Sequence, residues 1–316
     1  MRRVVVSAFR PAGRGSLASR RILTRESHGT AAGGRLRDAG FARMFRFIMP
    51  APGFRLKFLP ALLVGAWLSV AVAGRAQVVS TTDSAPYNNL ILQEIRSMPQ
   101  AGGYSANHAA TQRLGSAVSL NGVDGGLNVE AARAQPSYCS GATYLVFLKT
   151  IDALAKRGTV RADGRALDAL LINGQRDGEG VWGRWNANGP GTARLFYEMR
   201  LGQNFSDFAQ AQPGDFMKIF WSNAVGRREH GHSVIFLGTE TVKGVESVRF
   251  WSSNVGYGYS EKVVPRTKIA AAVFSRLTSP QNLEHAPDVT PRVDPYLAGL
   301  LTKDSNLAEV RAACGM

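Results

Sequence analysis

The apolar pattern of this chain changes period once, and that change limits the folds open to it. Over residues 142–154 apolar groups stand at 144, 145, 147, 148, 151 and 154, close to the spacing of a helix. Beyond residue 215 the pattern shifts to short runs rich in β-branched and aromatic residues, 216–221, 233–237 and 245–251, separated by turn signals. Helices first and antiparallel strands after is an α+β order. The same reasoning predicts an amphipathic helix over 87–98 and another over 164–172. The six glycines of residues 173–192 predict a loop, with Trp182 and Trp185 bordering a groove. Prolines between Thr278 and Pro295 predict an extended tail crossing the surface, followed by a last helix over 296–313.

The first quarter of the chain reads as a leader. Arg55 and Lys57 precede an apolar stretch, 58–73, that closes on the small residues Ala71 and Ala73. Basic, apolar, small is the order of a secretory signal, here around residues 55–76, with cleavage after Ala73 or Ala76. Upstream lies an Arg-rich stretch with Met44 and, just after it, Met49 as alternative starts. Export makes the expected location secreted or periplasmic, with membrane contact only in transit.

Removing that leader changes the charge. The whole chain carries 38 Lys and Arg against 23 acids, a net +15; residues 1–76 hold 14 of the basic residues and two of the acids. What remains is 24 basic and 21 acidic residues, about +3, so nucleic acid is not an expected partner.

The chain has two cysteines, Cys139 and Cys314. Cys139 lies in Pro136-Ser137-Tyr138-Cys139-Ser140-Gly141, directly before the helical run. Unpaired N–H groups and the positive end of the helix dipole favour a thiolate there. Export also permits a disulfide to Cys314, the rival role for this cysteine. A thiolate nucleophile needs an imidazole base and a group to orient it. His232 opens the run 232–238, and Asn254 closes the next one; they follow Cys139 by 93 and then 22 residues, enough to return from helix to sheet and cross one hairpin. Ser252 or Ser253 is an alternative third residue. His230 and His232 alternate on one strand face as a metal pair would, but no third ligand stands at a recognisable spacing, so neither metal nor other cofactor is expected. His230 is placed beside the cleft and His108 on the surface.

With these residues in place, the chain resembles the NlpC/P60 superfamily of papain-like cysteine peptidases and amidases. Tyr138-Cys139-Ser140-Gly141 resembles its nucleophile block, Pro213-Gly214-Asp215-Phe216 its turn into a first core strand, and residues 231–238 its histidine strand. The likeness covers roughly residues 130–260. It departs at Tyr138, where the family usually has Asp, and in the long interval between the first two blocks. The resemblance implies a nucleophile helix packed on a small antiparallel sheet. The chain thus divides into four expected segments: a leader (1–76), an N-terminal helical and loop segment (77–130), the catalytic domain the resemblance implies (131–275) and a C-terminal tail and helix (276–316).

The function this implies is a secreted hydrolase of an amide bond in a peptide or peptidoglycan-like substrate. Cys139 would be the nucleophile, His232 the base and Asn254 the orienting residue. The Cys139 N–H would help hold the oxyanion, and Tyr138, Ser140, Trp182, Trp185 and His230 would line the substrate cleft. Two alternatives stand beside it: a non-catalytic binding module with a Cys139–Cys314 disulfide, and a Cys-dependent acyltransferase.

Overall fold

Residues 139–156 form one uninterrupted helix because nothing in Cys-Ser-Gly-Ala-Thr-Tyr-Leu-Val-Phe-Leu breaks it and its flanks all find apolar partners. In the computed structural model, which describes residues 85–121, 125–161 and 163–316, this helix is the centre of the fold. The leader and signal segment expected over 1–76 lie outside the described residues. Ahead of the central helix come α1 (Asn88–Arg96), β1 (Ala101–Gly102), α2 (His108–Ser116), β2 (Val118–Leu120) and β3 (Leu127–Val129). The central helix, α3 (Cys139–Lys156), buries 12 of its 18 residues, so it is enclosed on most sides rather than amphipathic. After it run α4 (Gly164–Asp168), α5 (Gly180–Asn186), α6 (Gly191–Glu198) and β4 (Gly202–Phe205).

The sheet follows. The strands that come next in the chain are β5 (Phe216–Phe220), β6 (Val225–Gly226), β7 (Gly231–Val242), β8 (Val245–Asn254), β9 (Gly258–Pro265) and β10 (Ala271–Leu277), of which β6 pairs with β11 apart from the main sheet. The chain ends in α7 (Ala286–Val289), α8 (Pro295–Gly299), β11 (Asp304–Ser305) and α9 (Leu307–Ala313). The main sheet has the order β1-β9-β8-β7-β5-β10-β4, and every neighbouring pair is antiparallel. The fold is therefore mixed α and β with an antiparallel sheet, in keeping with an α+β class.

Two apolar layers hold it. On one face Phe216, Ile235 and Trp251 pack with Leu145, Phe147 and Leu148 of α3; on the other, Val234, Phe236, Phe250 and Phe274 form a second cluster. The period-2 alternation of β7 supplies both layers, since successive side chains leave a strand on opposite sides. One buried ion pair staples the layers at the Pro213-Gly214-Asp215 turn. The Asp215 carboxylate accepts from Arg276 Nε at 2.9 Å and Nη2 at 2.7 Å, from Asn88 Nδ2 at 2.9 Å and from the Gln212 N–H at 2.8 Å.

Several expectations need correction. The glycine-rich stretch 173–192 is not simply a loop: α5 and the start of α6 lie in it, and Trp182 and Trp185 are each 1% exposed. Gly183 allows this, because a Cβ there would meet the Arg176 carbonyl oxygen at 2.0 Å. These glycines serve close packing rather than a mobile chain. The segment after Thr278 is not an extended tail either. Pro280, Pro287 and Pro295 each stand in the first turn of a short helix, where a missing N–H costs nothing. The helix expected over 164–172 stops at Asp168, and α2, β4, β9 and β10 had no counterpart in the sequence reading.

Candidate active site

Cys139 is the first residue of α3, preceded by Tyr138 in an extended conformation (φ −131°, ψ 170°) whose side chain does not cap the helix. The first-turn N–H groups thus stay free of side-chain capping and point toward the sulfur's surroundings. Cys139 is partly exposed. Burial by itself pushes its thiol up, but a hydrogen bond with His232, the charge of His232, the Ser233 N–H and the Lys218 ammonium outweigh it and bring the thiol down from 9.0 to about 7.

His232 and Asn254 meet because of strand register. Ile235 of β7 faces Trp251 of β8 and Phe236 faces Phe250; counted three residues back along β7 and three on along β8 from the first of these pairs, His232 falls across from Asn254. A register shift past Phe236 leaves that end undisturbed. His232 Nε2 and Asn254 Oδ1 are 3.1 Å apart.

The direction of that bond follows from the Asn254 amide. Asn254 Nδ2 donates to the carbonyls of Ser260 at 2.8 Å and Ser252 at 3.3 Å, so its nitrogen is committed and its oxygen must face the ring. His232 Nε2 therefore carries the hydrogen, and Nδ1 keeps the lone pair that can take a thiol proton. Trp221 stacks at 6.4 Å between ring centroids and Phe250 meets the ring edge-on at 5.7 Å, which holds the imidazole's plane. The alternative third residues are occupied elsewhere. Ser252 Oγ donates to the Ser233 carbonyl at 2.7 Å, and Ser253 Oγ to that of Ser137 at 3.0 Å.

Around Cys139 is a cleft of about 380 Å³, a volume that suits a peptide-sized group. Tyr138 and Ser140 line it as expected, but both hydroxyls are bound: Tyr138 OH lies 3.2 Å from Thr111 Oγ1, and Ser140 Oγ donates to Asn186 Oδ1 at 2.6 Å. Burial also pushes the Tyr138 hydroxyl's pKa up. Trp182 and Trp185 are not in the cleft. They are core, packed against α3, where Trp185 Nε1 donates to the Ser140 carbonyl at 3.2 Å. The reason is their i, i+3 spacing on α5, which turns both rings the same way, against Tyr144 at 5.0 and 5.3 Å between centroids. His230 is exposed just ahead of β7 and is not among the cleft residues; His108 is exposed at the start of α2. Among the described residues no group of three His, Cys, Asp and Glu side chains is arranged to hold a metal ion.

Among the cleft residues that had no place in the sequence reading of the site, four are titratable: Tyr104, Asp177, Lys218 and, except as a neighbour of His230, Glu229. Tyr104, a residue of the N-terminal segment, meets Cys139 in the cleft. Its hydroxyl is pushed up to about 12 by burial, then by the charge of Cys139 and a hydrogen bond with it. A backbone bridge between Tyr104 and Ser137, with the Ser105 N–H on the Ser137 carbonyl at 2.9 Å, fixes that approach. Lys218 was the one legible signal: a charge in the middle of a strand whose other four residues are buried.

The rival role for Cys139, a disulfide to Cys314, is not formed. Cys139 and Cys314 are both free thiols. Cys314 closes α9 in a separate apolar cluster with Phe220, Val225, Val273 and Val310, and burial pushes its thiol up to about 12. A larger cavity, about 770 Å³, adjoins Cys314, but a thiol so raised is inert at neutral pH. The 380 Å³ cleft is the one that joins a lowered thiol to a base. No family model, curated protein or solved structure matches this chain.

Proposed function

We propose that the protein is a cysteine hydrolase of amide bonds on a papain-like, NlpC/P60-type scaffold. The observation that carries this reading is the His232–Asn254 hydrogen bond, which leaves the imidazole's other nitrogen for a cysteine whose thiol is lowered to about 7. The fold class supports it at the coarser level: a nucleophile helix against an antiparallel sheet.

In this mechanism the Cys139 proton moves to His232 Nδ1, and the thiolate attacks the amide carbonyl carbon. The carbonyl π pair moves to oxygen, where the Cys139 N–H and the Tyr104 O–H receive the new charge. His232 returns the proton to the amide nitrogen, the C–N bond breaks, and the amine leaves. Water then gives a proton to His232 and attacks the thioester carbon. The C–S bond breaks, the acid leaves and Cys139 takes its proton back. Asn254 stays bonded to Nε2–H throughout and holds the ring in its tautomer. The resemblance to NlpC/P60 enzymes, together with the secretory leader read in the sequence over 55–76, supports peptides of the cell wall as the substrate class and the secreted or periplasmic space as the location.

The test is hydrolysis of peptide amides by the protein without its leader. Cys139→Ala is expected to abolish turnover with its melting transition unchanged; full activity in that variant would overturn the reading.

A further inference from the structure

The register of the main sheet brings a nearly buried charge pair beside the nucleophile. In the β5–β7 ladder Lys218 lies opposite Ser233, the residue whose N–H reaches the Cys139 sulfur. Paired residues turn their side chains to the same face, and on this face Lys218 and Cys139 line the same cleft. Lys218 Nζ and Glu229 Oε1 form an ion pair there at 2.6 Å, with side chains 13% and 3% exposed. Water and salt therefore screen neither charge well.

Glu229 is held from three segments at once. Its second oxygen, Oε2, accepts the N–H of Gly189 at 2.5 Å, from the chain that follows α5, and the N–H of Gly226 at 3.3 Å, from β6. Gly231, at the start of β7, leaves room for the pair: a Cβ there would meet Lys218 Cε at 2.7 Å and Nζ at 2.9 Å, and would strike Glu229 Oε1. The carboxylate thus ties β5 to β6 and to the chain that carries Asn186 and Asn188 into the cleft wall. A buried ion pair is a weak source of stability, because desolvation offsets its attraction. Beside a nucleophile it has a second use.

From this geometry we infer that Lys218 and Glu229 act as one positioning unit for the nucleophile: Glu229 fixes the ammonium beside Cys139 and offsets part of the positive charge that the thiolate receives. This rests on the hydrolase reading above, in which Cys139 is the nucleophile. Four other titratable groups face the sulfur or its cleft: His232 from β7, Tyr104 from the N-terminal segment, Tyr138 ahead of α3 and Asp177 from the chain before α5. All four stay in place when only Lys218 or Glu229 is changed, so a difference between such variants reads this unit. Loss of the ammonium removes a charge that favours the thiolate; loss of the carboxylate's charge leaves that ammonium unopposed. The two changes therefore act on the thiol in opposite directions.

The pH midpoint of Cys139 alkylation by iodoacetamide, followed by mass spectrometry of the peptide that carries it, reads this without turnover. Lys218→Met is expected to raise the midpoint by about one pH unit, and Glu229→Gln, which keeps an oxygen for the Gly189 N–H, to lower it by about half a unit. Lys218→Arg is expected to keep the parent's midpoint. Damage to the fold alone would move both single variants the same way, toward the ordinary thiol range; shifts of equal sign, or none, would overturn the inference. If Lys218→Met unfolds with Glu229 left unpaired, the double variant Lys218→Met, Glu229→Gln takes its place. It differs from Glu229→Gln only at residue 218, and its midpoint is expected about one unit higher; an equal midpoint would overturn the inference too. Opposite shifts with no hydrolysis by the unmodified protein would instead remove the hydrolase reading and leave the Lys218–Glu229 unit standing.

Discussion

Ser260, in β9, accepts the Asn254 side-chain N–H on its carbonyl at 2.8 Å and on its Oγ at 3.2 Å, across the turn that joins β8 to β9. That pair of acceptors decides which end of the Asn254 amide meets His232. Asn254→Asp keeps the shape but changes the chemistry: a carboxylate has no N–H for Ser260 and adds a charge beside the imidazole. The expected result is a fall in kcat of about a hundredfold from ring misplacement, together with an upward shift of the alkaline limb set by the imidazolium. A pH profile of kcat/KM checks it, and an unshifted profile would count against Asn254 as the orienting residue.

The thiol at 139 gives a pH prediction whose sign is fixed. Its folded value is lowered from 9.0 to about 7, so the thiolate fraction rises as pH rises through 7. Alkylation by iodoacetamide is expected to follow that rise, with the midpoint moving toward the ordinary thiol range in His232→Ala. A depressed group of this kind adds stability that is complete above the unfolded value and lost as pH falls through about 7. Melting temperature measured from pH 9 to pH 6 should therefore decline more in the parent than in Cys139→Ser.

Tyr104 contributes a donor that vanishes in Tyr104→Phe with little change of shape. Loss of one oxyanion donor typically costs about a hundredfold to a thousandfold in kcat. The expected split is a large fall in kcat with KM nearly unchanged, since the bond strengthens only as charge develops. A KM effect alone would place Tyr104 in substrate binding instead.

The Asp215–Arg276 pair predicts a structural cost. Arg276 is 6% exposed and Asp215 fully buried, so Arg276→Ala leaves an uncompensated carboxylate between α1, β5 and β10. Breaking one side of such a pair costs about 3–5 kcal/mol, readable by urea unfolding. The double variant Arg276→Met, Asp215→Leu is expected to recover most of that loss.

What the sequence made legible was whatever lay in one stretch of chain. Cys139 before an apolar run marks a helix start; 232–238 and 245–251 mark two strands with a short turn between them. Neighbouring strands then bring His232 and Asn254 together by register alone. The charged and phenolic groups of the cleft come from four separate segments, and no local pattern links Tyr104, Asp177, Lys218 and Glu229. They meet only after the sheet and the 173–192 segment have packed. Trp182 and Trp185 misled for a related reason: glycine-rich sequence with aromatics resembles a surface loop, yet here the glycines admit backbone to backbone and the rings fill the core. The prolines after Thr278 were open to two conformations, and first-turn helix positions suit them as well as an extended chain does.

The C-terminal segment sets a limit on how small a working fragment can be made. Asp294 steadies the backbone beside Asp177, Leu301 forms part of the cleft wall, and the Lys303 carbonyl takes the Arg227 N–H near the chain that carries Glu229. A fragment ended at residue 275 would retain Cys139, His232 and Asn254 but lose one wall of the cleft, the Arg276 partner of buried Asp215, and Leu283, Ala286 and Val289 of the main core. Shortening the protein from that end should therefore cost the fold itself, so the C-terminal segment belongs to the smallest unit that can hold the Cys139 cleft together.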